Sequence, residues 1–84
     1  MSSDPIVHVI DDDDAARDSL AFLLEMSGFP VKTYVSAVAF LDQIAEAEPG
    51  CIISDMRMPG LTGLDLLRDL QNRKVNWPVI VITG

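Results

Sequence analysis

Short apolar runs rich in β-branched residues alternate along the chain with longer stretches whose apolar residues recur at helical spacing. The first run, "PIVHVI" (5–10), stops abruptly at "DDDD" (11–14), as a buried strand does when it meets a loop or a helix start. "AARDSLAFLLEMSG" (15–28) then carries Ala16, Leu20, Leu23 and Leu24 at helical spacing, with aspartates before it and Gly28 where a C-terminal cap belongs. "VKTYV" (31–35) reads as a second strand. Ser36 caps a second helix, "AVAFLDQIAEA" (37–47), with Phe40, Leu41 and Ile44 as its apolar stripe and Pro49 and Gly50 as its end. "CIIS" (51–54) is a third strand and "DMRMPGL" (55–61) a loop. "TGLDLLRDLQNRK" (62–74) is a third helix in which Thr62 and Asp65 are spaced for a capping box, and "WPVIVITG" (77–84) closes on a fourth strand.

The order β-α-β-α-β-α-β, with strands apolar on both faces, predicts an α/β fold: a doubly wound parallel sheet covered by helices on each side. In such sheets the ligand site lies beyond the carboxyl ends of the strands, near the switch point in strand order. That places Asp11 and Asp12 after strand one, Asp55 after strand three and Thr83 at the end of strand four in one neighbourhood.

Composition narrows the chemistry. The 84 residues make one domain, 49% of them hydrophobic, which argues against disorder. A net charge of −7 opposes direct binding to nucleic acid or to an anionic membrane surface. Cys51 is the single cysteine, so no internal disulfide forms, and it is read as a small buried apolar residue. No signal-like start and no run of membrane length are present, so a soluble, cytoplasmic protein is expected.

A charge at the mouth of a strand as apolar as "IISD" needs solvent or company. Three converging carboxylates repel one another, by roughly 4 kcal/mol for a pair ~4 Å apart at an effective dielectric of about 20. A divalent cation reverses that repulsion, and all-oxygen ligation suits Mg²⁺, which is commonly held by one or two carboxylates with retained waters. The segment "DDDDAARDS" lacks the alternating ligands and central glycine of a calcium loop. With the cation in place, the Asp55 carboxylate is a candidate nucleophile toward phosphorus. Asp13 and Asp14 read instead as a solvated helix start, and His8, between Val7 and Val9, as a core or edge histidine.

"VHVIDDDD", "IISDMRMPGLTGLDLL" and "VIVITG", in that order, resemble the receiver domain of bacterial two-component response regulators, most closely the subfamily with a LuxR-type helix-turn-helix output domain. The resemblance covers residues 1–84 and implies a flavodoxin-like receiver fold, a phosphoryl group passed from a sensor histidine kinase to an aspartate, and Mg²⁺. It implies that Asp55 is the phosphoacceptor. By the same resemblance Asp12 is a direct Mg²⁺ ligand, Asp11 acts through water, Arg57 offers its backbone carbonyl to the metal, and Thr83 is the switch hydroxyl. Such a module is a phosphoacceptor with slow self-chemistry and not a conventional enzyme.

The resemblance also implies a further helix, a lysine-ended fifth strand and a last helix, none of which falls within these residues. We therefore expect a fragment of a longer protein, or a homo-oligomer or element-swapped dimer formed through the bared fourth strand. An alternative function is a phosphorylation-incompetent association module. A phosphohydrolase of the haloacid-dehalogenase type is disfavoured, because Arg57 stands where a second aspartate would be required.

Overall fold

The computed structural model describes residues 5–56 and 62–82. Strand β1 (Ile6–Ile10) leads to α1 (Asp14–Met26), β2 (Val31–Tyr34), α2 (Ala37–Gln43) with a 3-10 turn at Ile44–Glu46, β3 (Gly50–Asp55), α3 (Gly63–Asn72) and β4 (Val79–Ile82). All pairings are parallel and the strand order is β2-β1-β3-β4. The step from β1 to β2 runs one way across the sheet and the later steps run the other. With right-handed crossovers this puts α1 on one face and α2 and α3 on the opposite face.

The α2/α3 face holds the core. Ile10, Tyr34 and Ile52 from the sheet meet Phe40, Leu41 and Ile44 from the second helical segment and Leu66 and Leu70 from α3, with Trp77 and Val79 packed against them. The α1 face is thinner. No residue of α1 is fully buried; Leu20, Ala21 and Leu24 are half-buried while Leu23 and Ala16 are exposed, so the inward stripe is turned from the one expected. For the same reason Cys51 is half-buried, and Ile80 and Ile82 on β4 remain 50% and 38% exposed.

The helix ends follow local chemistry. Asp13 caps α1 by accepting from the Ala15 N–H, Ser36 caps α2 through the Ala39 N–H, and Thr62 and Asp65 form the reciprocal capping box of α3. Gly28 (φ 95°) closes α1: its N–H reaches the Glu25 carbonyl and the Phe29 N–H the Leu24 carbonyl, the paired bonds of a Schellman motif. Two of the boundaries that differ from expectation lie between the second helix and β3. The second helix tightens into a 3-10 turn at Ile44, and Gly50 opens β3 instead of ending that helix. Gly50 pairs with Ile6, and a Cβ there would stand 2.0 Å from the Ile6 carbonyl oxygen.

Candidate metal centre

Register decides which acids meet. Ile10 pairs with Ser54, so one step further along two parallel strands Asp11 stands beside Asp55. Asp11 is held from behind by its own N–H, which donates to the Tyr34 carbonyl at 3.2 Å, and the N–H of Met56 donates to the Ile82 carbonyl at 2.9 Å just past Asp55. The carboxylates of Asp11, Asp12 and Asp55 each offer an oxygen within 4.8 Å of the others. Asp11 is buried, Asp55 half-buried and Asp12 exposed, so the trio grades from the sheet to solvent. Asp13 turns away to cap α1, and the exposed Asp14 pairs with Arg17.

Three anionic oxygens at this spacing fit a hard cation that keeps much of its water and takes one or two carboxylates directly, which is the habit of Mg²⁺. Arg57 and Thr83, the other two residues expected at the site, lie outside the described residues, as do Pro59 and Gly60. His8 is not part of this site. It is buried in the core, with Nε2 2.7 Å from the Glu48 carbonyl oxygen and Nδ1 3.0 Å from the Tyr34 hydroxyl.

One residue at the site escaped the sequence reading. The Arg17 side chain is only 11% exposed and its Nη1 donates to the Asp11 main-chain carbonyl at 2.8 Å. The available signal was its spacing: Arg17 shares the inward stripe of α1 with Leu20, Ala21 and Leu24, where a charge is out of place.

An open parallel sheet of order 2-1-3-4 with three carboxylates at its switch point defines the class: a doubly wound α/β module with an acidic cluster beyond the carboxyl ends of its strands. The chain belongs to the response regulator receiver domain family, whose model matches residues 7–84. Receiver domains are phosphoacceptors, not conventional enzymes. The chain is 58% identical over 78 residues to the transcriptional regulatory protein FixJ of Azorhizobium caulinodans, matching 93% of this chain and 37% of that protein. Among solved structures it is similar to FixJ-N (TM-score 0.92, 47% identity, 99% of this chain and 66% of that one). Full-length FixJ from B. japonicum gives a TM-score of 0.92 at 43% identity, over 99% of this chain and 41% of that one. The chain thus spans less than half the length of these full-length relatives. No helix among the described residues is long and apolar enough to cross a membrane.

Proposed function

We propose that this receiver domain accepts a phosphoryl group on Asp55 from a sensor histidine kinase, with Mg²⁺ held by Asp11, Asp12 and Asp55. The observation that carries this reading is the convergence of those three carboxylates at the carboxyl ends of β1 and β3. An Asp55 oxygen attacks phosphorus, the bond from phosphorus to the donor atom breaks, and the donor leaves with that electron pair. The cation, when bound, offsets the charge gathered between the acids and the incoming phosphoryl oxygens. By resemblance to receivers, the Arg57 backbone carbonyl would add to the metal's oxygen set and the Thr83 hydroxyl would meet the phosphoryl group. The resulting acyl phosphate biases two conformations that an output domain distinguishes. Similarity to proteins named transcriptional regulators supports a DNA-binding output and a cytoplasmic setting.

The site assignment is tested by exposing the protein to Mg²⁺ and a small acyl-phosphate donor, then reducing with borohydride and mapping peptides. Conversion of Asp55 to homoserine is expected; reduction at another acid, or at none, contradicts it.

A second reading, association between copies through β4, is favoured by the exposure of Ile80 and Ile82 on that strand. Sedimentation of the parent and an Ile80→Lys variant tests it. A dimer lost in the variant supports association, and a monomer in both rejects it.

A further inference from the structure

We propose that Arg17 is the positioning residue of the acidic site: its guanidinium fixes the main chain at Asp11 and so sets where the Asp11 and Asp12 carboxylates stand. The proposal rests on the reading of that trio as a Mg²⁺ site.

Taking a guanidinium out of water is costly unless its N–H groups find acceptors. Arg17 nevertheless occupies an inward position of α1, where the helix otherwise presents Leu20, Ala21 and Leu24 to the sheet. Its fork is used in two directions. Nη1 donates to the Asp11 carbonyl at 2.8 Å, and Nη2 pairs with the Asp14 carboxylate at 2.5 Å. Those bonds enclose a short chain of others. The Asp13 N–H donates to Asp11 Oδ1 at 2.9 Å, Asp13 Oδ1 accepts from the Ala15 N–H at 3.0 Å, and the Arg17 N–H returns to the Asp13 carbonyl at 2.9 Å. The turn from β1 into α1 is therefore cross-braced, with the bond that reaches back from the helix to Asp11 supplied by Arg17.

Two effects of Arg17 on a bound cation oppose each other. Its charge repels Mg²⁺, so deletion tightens binding if charge dominates. Its bond to Asp11 holds the carboxylates ready, so deletion loosens binding if position dominates. Position should win, because Asp14, 83% exposed and otherwise without a part in the trio, already offsets the guanidinium charge. Lysine keeps the charge and loses the fork, since a single ammonium does not reproduce a planar two-way contact.

The test is Mg²⁺ affinity by calorimetry on the parent, Arg17→Ala, Arg17→Lys and, as control, Arg68→Ala on the exposed side of α3, below the unfolding range of every variant. Both Arg17 variants should bind about 10-fold more weakly, the scale on which outer-shell partners tune a metal site, while Arg68→Ala matches the parent. Affinity that is unchanged or tighter in Arg17→Ala overturns the proposal. Metal-free amide exchange at Asp13 supplies the second readout. In Arg17→Ala it should accelerate relative to amides of α3, and equal protection overturns the brace. Absence of Mg²⁺ binding by the parent would instead refute the metal reading, leaving the exchange result to decide the brace.

Discussion

The hydroxyl of Tyr34 on β2 lies 3.0 Å from Nδ1 of His8 on β1, inside the core and one strand over. The other ring nitrogen is 2.7 Å from the Glu48 carbonyl oxygen, which only accepts, so Nε2 carries the proton and neutral His8 takes its second bond from Tyr34. Trp77 stacks on the same imidazole at 5.4 Å. Burial holds the His8 pKa below its ordinary value of 6.5, and the Lys32 charge adds to that; the Glu48 carbonyl and carboxylate pull the other way. The unfolded chain therefore binds this proton more readily than the folded one, so stability is complete above about pH 6.5 and falls as pH drops below it. His8 is the only histidine in the chain. Denaturation midpoints measured from pH 7.5 to 5.5 should decline in the parent and stay nearly flat in His8→Phe, whatever that variant's absolute stability. Parallel slopes would refute the assignment.

Gly50 sits where β3 passes closest to β1. Because a Cβ would meet the Ile6 carbonyl oxygen, Gly50→Ala must push the two strands apart, at a cost of about 3 kcal/mol. Chemical denaturation measures it. The same displacement opens the pairing that sets Asp11 against Asp55, so Mg²⁺ affinity should fall with stability.

Lys74 ends α3 in the left-handed region (φ 60°), its N–H bonded to the Gln71 carbonyl and the Val75 N–H to the Leu70 carbonyl. This repeats the Schellman motif of Gly28 with a side chain that strains it. Lys74→Gly should stabilise the protein by about 1 kcal/mol, the steric relief exceeding the added unfolded-state freedom. A shift in the urea midpoint checks it.

The adjacent acids divide their work, and substitution separates the parts. Asp12→Asn removes one member of a like-charged trio and should stabilise the metal-free protein by about 1 kcal/mol while weakening Mg²⁺ binding. Asp13→Ser keeps a capping oxygen for the Ala15 N–H and should leave both quantities close to the parent's. Thermal unfolding and calorimetry on the two variants give the four numbers required.

Where the sequence reading succeeded and failed has a physical pattern. β1, β3 and β4 were legible as apolar runs, the edge strand β2 by its β-branched residues alone, and the caps at Ser36, Thr62 and Gly28 because their chemistry is local. The face of α1 was misjudged because Arg17 occupies an inward position, which amphipathic spacing counts as outward. Pro49 and Gly50 read as a helix end. The need for glycine there comes from Ile6, far away in sequence, so no local signal shows it. Asp55 stood out as a charge closing an apolar run. Its neighbourhood with Asp11 and Asp12 followed from the carboxyl-end site of a doubly wound sheet, whereas the Ile10 to Ser54 register that sets Asp11 directly beside it comes only from the folded sheet.

The central claim is that Asp55, set against Asp11 and Asp12, takes up a phosphoryl group. The most direct measurement is the intact mass of the protein after incubation with a small acyl-phosphate donor, with and without Mg²⁺, beside Asp55→Asn treated identically. Gain of one phosphoryl group by the parent only with Mg²⁺, and none by the variant, is the predicted result. No gain in folded parent, or an equal gain in Asp55→Asn, would contradict it.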